Sequence, residues 1–189
     1  MYTLRYIGIP REKRDLDGVW ALLVECDRDF VPRLSERNST SQSALAGLSA
    51  PEDALPYAYF EEIKTQHLIA AYDETGRMAA FMSFKTGYTC EALSAFGPMI
   101  YASTACVHHE DRGHGLLKGM YTLLEEQLPG DVPGEAIGMR TWSTNAAQIH
   151  ELNKRGYREV ARLKDDRGKG IDTVYFARSR GKSQKGEDQ

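Results

Sequence analysis

The stretch that decides the fold runs from Tyr101 to Gln127 and reads "YASTACVHHEDRGHGLLKGMYTLLEEQ". An apolar run that begins at Met99 leads into a polar loop around "RGHG" (112–115), and a leucine-rich segment follows. Leu116, Leu117, Met120, Leu124 and Leu128 trace one helical face, so the order is strand, loop, helix. Three chemistries compete for the loop. Cys106, His108, His109 and His114 offer thiolate and imidazole ligands of the kind zinc takes. Successive strand residues alternate faces, however, so His109 does not share a side with Cys106 and His108. Cys106 beside a histidine could also act as a nucleophile, although near the end of an apolar strand a buried small hydrophobe is the simpler reading. The anion site has the clearest mechanism. Amides at a helix start lack partners and the helix dipole favours negative charge there. Gly113 and Gly115 keep Cβ atoms out of the way of a diphosphate, and Arg112 adds a charged fork. One helix end contributes about 0.3–1 kcal/mol toward a charge, so several amides must act together.

Outward from this stretch the chain alternates apolar runs with punctuation. Thr3 to Gly8 reads as a strand, and Val19, Leu23, Cys26, Phe30 and Leu34 recur at helical spacing from about Asp15 to Leu34. A Ser- and Pro-containing loop follows, then a short helix "YAYFEEIK" behind Pro56. "HLIAAY", "MAAFMSFK" and "MIYASTACV" form a meander of three strands. "AIGMRTW" reads as a strand beyond the leucine-rich helix. Asn145 to Arg155 reads as a helix capped at its start and closed by Gly156. "REVARL" and "IDTVYFA" form a final hairpin. The expected fold class is thus α/β (α+β), a single domain over 1–178 with a curved mixed sheet of about seven strands and about four helices. The order is β-α-α-β-β-β-α-β-α-β-β. The segment 179–189 has no apolar residue and is expected to be a disordered polar tail.

Bulk properties narrow the function. The 189 residues are 41% apolar and 27% charged, an ordinary globular balance that rules against a disordered chain. The net charge of -3 and a pI near 6.0 argue against a nucleic-acid partner. No run approaches the ~20 apolar residues of a membrane span. The opening "MYTLRYIGIPREKRD" lacks the apolar core of a signal peptide, and Cys26, Cys90 and Cys106 are scattered. The expectation is a reduced, cytoplasmic protein.

"VHHEDRGHGLLKGMYTLLEE" resembles the acetyl-CoA-binding motif of the GNAT superfamily of N-acetyltransferases. In that family a strand ends in Val, and five positions later Arg or Gln opens Arg/Gln-x-x-Gly-x-Gly/Ala. Val107, Arg112 and Gly115 fall on those positions, and Gly113 matches the common Arg-Gly-x-Gly form. Downstream, "TWSTNAAQIHELNKRGYREV" is similar to the family's Asn-led helix ending in Gly-Phe or Gly-Tyr, here Asn145, Gly156 and Tyr157. The resemblance extends from about His67 to Arg178. Three positions depart from it. Leu117 replaces a small residue, His109 stands where proline is common, and Leu152 occupies the place of a Tyr that protonates the departing thiolate.

The resemblance implies an acetyl-CoA-dependent N-acetyltransferase that moves an acetyl group to a primary amine of a small molecule or peptide, by direct attack in a ternary complex. The strand carrying Cys106 and Val107 would splay from its neighbour and hold the pantetheine arm, with a backbone amide near Val107 polarising the thioester carbonyl. The amides of Gly113, His114, Gly115, Leu116 and Leu117 would take the pyrophosphate with Arg112 beside it, and Asn145 would lie near the cofactor arm or cap its helix. No metal is implied, and a homodimer is compatible with the family's habits. An amine with a pKa near 10.4 is about one part in 10³ neutral at pH 7, so a base or water relay must take its proton. Glu62, with Glu61 as its neighbour, is a candidate. Tyr101 stands where some members carry a Glu. His108, His109 and His150 titrate in the right range. The alternative is a CoA-binding sensor or interaction module with weak catalysis.

Overall fold

A computed structural model describes residues 1–180. Seven strands form one sheet in the order β1-β2-β3-β4-β5-β7-β6. They are β1 (Thr3–Gly8), β2 (His67–Tyr72), β3 (Met78–Tyr88), β4 (Met99–Val107), β5 (Ala136–Trp142), β6 (Arg158–Leu163) and β7 (Thr173–Ser179). Four helices are woven between them: α1 (Lys13–Cys26), α2 (Tyr57–Ile63), α3 (Leu116–Glu126) and α4 (Ala146–Lys154). Element for element this is the order expected from the periodicities. All strand pairs are antiparallel except β4 and β5, which the α3 crossover makes parallel.

Each face of the sheet is covered by one pair of helices. α1 buries Val19, Leu22, Leu23 and Cys26, an i, i+3, i+4, i+7 stripe, and packs with Tyr59 and Ile63 of α2 against Leu68, Ala70, Phe81 and Cys106. On the opposite face, Leu116, Met120, Tyr121 and Leu124 of α3 and Leu152 of α4 pack on Ile69, Met82, Ile100, Ile137 and Met139. Along β2 the residues that meet the two helix pairs alternate, as the pleat requires, while Met99, Tyr101, Ala136, Tyr175 and Ala177 pack with Leu93 of the 3-10 turn Glu91–Phe96. Among the described residues no helix is long and apolar enough to cross a membrane.

Two boundaries differ from the sequence expectation. The helical spacing that reaches Leu34 ends as helix at Cys26; a 3-10 turn (Asp27–Asp29) follows, Pro32 supplies no amide to continue, and Leu34 opens a separate turn. The expected tail also starts later than Ser179. That residue pairs with Ala136 in the sheet, and the Arg180 amide donates to Glu135 O at 2.7 Å. The rest of the tail, 181–189, lies outside the described residues.

Candidate active site

The two parallel strands part company halfway. β4 and β5 pair at Ile100–Ile137, Tyr101–Gly138 and Ala102–Met139, and nowhere beyond. Past that point β4 stays bonded to β3 as far as Val107–Ala80, while β5 stays bonded to β7 as far as Trp142–Thr173. Ser103–Val107 and Arg140–Trp142 therefore diverge, each leaving backbone groups toward the gap. A cleft of about 680 Å³ fills that gap and runs on to the start of α3.

Its two walls come from the two faces of the sheet. On the α3–α4 side the lining includes Ala105, Val107, Met139, Gly113, Gly115, Leu116, Leu117, Tyr121, Asn145 and Gln148. Gly113 (φ +81°) and Gly115 (φ +77°) both sit in the left-handed region, which a side chain disfavours by about 1–2 kcal/mol. Open space surrounds the position a Cβ would occupy at each. Gly115 is the N-cap of α3 and brings no side chain to satisfy the first amides of the helix. The loop and helix start thus offer bare N–H groups to the cleft, the arrangement that suits a diphosphate. Asn145 caps α4, its side chain accepting from the Gln148 amide at 3.3 Å and donating to Thr141 Oγ1 at 3.1 Å. It combines a structural cap with a place on the wall.

Arg112 is less free than the motif implies. Its guanidinium lies 2.5 Å from Asp29 Oδ2 and its Nε donates to Val107 O at 3.4 Å. The anion end of the cleft consequently rests on amides more than on this side chain. His114 turns away altogether. Its Nδ1 meets Asp111 O at 3.1 Å, its ring packs 5.7 Å from Tyr2, and only its backbone belongs to the loop. His108 and the His109 amide both meet the carboxylate of Glu25, which ties the loop to α1. The four-residue zinc set of Cys106, His108, His109 and His114 does not converge. A different trio with ligand-like spacing, Cys26, Asp29 and His109, carries the Arg112 guanidinium against it, 3.9 Å from Cys26 Sγ. A cation there would meet a fixed positive charge.

On the α1–α2 side the lining is Cys26, Asp29, Phe30, Thr104, Cys106, Arg140 and Trp142. Burial pushes the Cys106 thiol well up, while the hydrogen bond from Cys106 together with Arg112 draws Cys26 down. Cys106 is thus a protonated, packed side chain and no nucleophile. Thr104 Oγ1 lies 2.7 Å from the buried Tyr59 hydroxyl.

Neither candidate base reaches the cleft. Tyr101 is 1% exposed, stacks 4.2 Å from Tyr88, and burial drives its phenol far above the ordinary range. Glu62 is held by Lys85 Nζ at 2.5 Å and by the amide and hydroxyl of Thr40 at 2.5 and 3.0 Å. Burial raises its carboxyl, but these bonds outweigh that and leave it low, a weak base. The acidic groups that do line the cleft are committed: Asp29 to Arg112, and Asp111 to Arg77 at 2.8 Å.

Sequence reading missed Tyr121, Gln148, Thr104 and Arg140. Tyr121 stands one turn after Leu117, and that i, i+4 spacing would have placed it on the cleft wall. It is fully buried, accepts a hydrogen bond from Gln148 Nε2 at 2.6 Å and donates to Met139 Sδ at 3.4 Å. Burial raises its phenol, so the proton stays on at neutral pH. Nothing in local sequence marks Arg140, a charged residue inside an otherwise apolar strand whose partners, Thr40 O and Gln42 O, lie 98 to 100 positions away.

No protein-family model matches the chain, and no curated protein does. Solved structures do. The ribosomal-protein-S18-alanine N-acetyltransferase from Escherichia coli matches with a TM-score of 0.60 at 16% identity, over 100% of this chain and 99% of that one. An N-acetyltransferase from Staphylococcus aureus Mu50 matches at 0.65 and 13% identity, over 96% and 99%. Arabidopsis thaliana NAA60, in complex with a bisubstrate analogue, matches at 0.64 and 16% identity, over 96% and 100%. With TM-scores of 0.60 to 0.65 and near-complete mutual coverage, the chain shares the fold of these structures, N-acetyltransferases among them.

Proposed function

We propose that this protein is an acetyl-CoA-dependent N-acetyltransferase that acetylates a primary amine, in the cytoplasm, on a small molecule by direct attack within a ternary complex. The observation that carries the reading is the divergence of β4 and β5 directly in front of the glycine-led start of α3. Ser103–Val107 would receive the pantetheine arm as an added strand receives its neighbour. The amides from Gly113 to Leu117 would hold the pyrophosphate. Bound acetyl-CoA supplies the activated acyl group and a thiolate leaving group. Backbone N–H groups on the open edge of β4, beyond its last pair with β5, would stabilise the negative charge that grows on the acyl oxygen. Tyr121, a residue of the cleft wall whose phenol stays protonated at neutral pH and accepts from Gln148, would be the proton donor toward the sulfur, its hydroxyl exchanging Met139 Sδ for that acceptor. It takes up from α3 the task that Leu152, wholly buried in the core, has no proton to perform. The acceptor enters from the α1–α2 side, between Phe30, Thr104 and Trp142.

Thermal shift with acetyl-CoA followed by thiol release over a panel of amines tests this. Ligand at 100 times its Kd should raise stability by about 2.7 kcal/mol. Absence of any shift at millimolar acetyl-CoA would sink the reading. One observation favours a second reading, a CoA-binding sensor with weak catalysis: every carboxylate on the cleft is already paired. A clear shift with no turnover beyond background across the panel selects it.

A further inference from the structure

Three arginines from distant parts of the chain converge behind the acceptor wall. Arg37 comes from the loop after α1, Arg140 from β5 and Arg167 from the turn between β6 and β7. Arg37 and Arg167 are only 5% and 6% exposed. Arg37 lies 5.5 Å over the Phe30 ring and Arg167 5.7 Å over the Trp142 ring, and those two rings are 5.8 Å apart on the cleft wall. Arg140 shares that wall directly.

What holds these guanidiniums is mostly neutral. Arg37 donates to Pro32 O at 3.0 and 2.6 Å, Arg167 to Val31 O at 2.5 Å and Thr173 Oγ1 at 2.9 Å. Arg140 donates to Gln42 O at 2.7 Å, Thr40 O at 3.3 Å and the Tyr175 hydroxyl at 3.5 Å. The nearby acids reach them only indirectly. Asp166 binds the Thr173 hydroxyl, and Glu62 binds Thr40 while Lys85 neutralises it. Arg155, by contrast, is paired directly with the carboxylates of Glu125 and Glu151. Burial and their mutual repulsion oppose the charges of Arg37 and Arg167. A cluster of buried like charges without counter-ions is costly in the free protein, and an anion beside it removes that cost.

We propose that the acceptor wall is an anion pocket, so that the amine substrate also carries a carboxylate or phosphonate, which seats against Arg140 in the field of Arg37 and Arg167. This rests on the transferase reading for its amine, but the pocket itself can be tested without turnover. Arg140 sits one residue past the last β4–β5 pair, at the vertex of the gap. An anion held there leaves the amine pointing along Thr104 and Cys106 toward the open end, where the acyl group would lie.

The experiment compares matched ligands on the intact protein: free amino acids, their C-terminal amides, and aminoalkyl phosphonates of similar length. Melting shifts without acetyl-CoA and thiol release with it are both recorded. The expectation is a shift by the amino acids or phosphonates that the amides do not produce, and a kcat/KM at least 10²-fold higher for the anionic member of a pair. Whichever anion wins separates carboxylate from phosphonate. Arg140→Gln should raise KM for the anionic acceptor at least tenfold and leave the acetyl-CoA shift in place, and Arg140→Lys should recover part of it. Should Arg140→Gln not fold, the matched pairs on the natural protein still decide. Equal shifts and rates for acids and amides overturn the anion pocket and leave the transferase intact. Shifts by anions with no turnover of any amine keep the pocket and overturn the transferase reading. No shift and no turnover overturn both.

Discussion

The two walls of the cleft are built from different materials. The α3–α4 wall presents backbone: two glycines at positive φ, an uncapped helix start and an open strand edge. The α1–α2 wall presents side chains: Phe30, Trp142, Thr104 and Arg140, backed by Arg37 and Arg167. A wall made of amides accepts any diphosphate of suitable shape and tolerates change in most neighbouring side chains. A wall made of side chains drawn from four loops and strands can be re-specified by single substitutions. The fold thus separates a fixed task from an adjustable one across a single gap in a sheet.

The sharpest way to break that comparison is to remove chemistry from the backbone wall without touching its amides. Tyr121→Phe should lower kcat about 10²-fold, the lower end for a general acid, with the acetyl-CoA thermal shift unchanged. Steady-state kinetics beside a binding titration check this, and an unchanged kcat would remove Tyr121 from the reaction. Next in size is the backbone wall itself. Gly115→Val forces a branched side chain into the left-handed region, about 1–2 kcal/mol of strain, and should weaken acetyl-CoA about tenfold. Calorimetric titration measures it, with Gly115→Asn as the milder companion, and equal affinity for Val and Gly would contradict an amide cradle.

On the other side, Glu62 is a scaffold for the arginine loop through Thr40. Glu62→Gln should cost about 1–2 kcal/mol in denaturant melts at pH 7 and leave acetyl-CoA binding alone. The carboxyl is depressed in the folded chain, so its stabilisation is complete above the unfolded value near 4.3 and lost as the pH falls through the folded one. The gap between variant and natural protein should therefore narrow from pH 6 to pH 3; a constant gap would mean the charge is idle. Smallest is Asp29→Asn. It frees a guanidinium that is about half exposed, and a surface pair of this kind contributes under about 1 kcal/mol. If it tightens acetyl-CoA binding more than twofold in the same titration, Arg112 belongs to the anion site after all.

The backbone wall was readable in advance because its elements are local. Val107, Arg112, Gly113 and Gly115 lie within nine positions, and glycine spacing before a helix has a steric meaning that survives without a structure. The strand and helix order was readable for the same reason: period 2 and period 3.6 are properties of adjacent residues. Reading went astray where a long-range partner decides. Asp29 engages the Arg112 guanidinium that the motif offers to a diphosphate, Lys85 claims the candidate base Glu62, and burial takes the candidate Tyr101 out of reach of the cleft.

The sequence by itself determined a seven-stranded mixed sheet with a crossover helix that starts on glycines, because those signals are encoded between neighbours. Only the tertiary structure decided which side chains face the gap between β4 and β5. Arg37, Arg140 and Arg167 are separated by 103 and 27 positions in the chain, and their shared address follows from how the loop after α1 and the β6–β7 turn fold over one end of the sheet. Charge, burial and distance are set jointly at such a place, and no local pattern carries them.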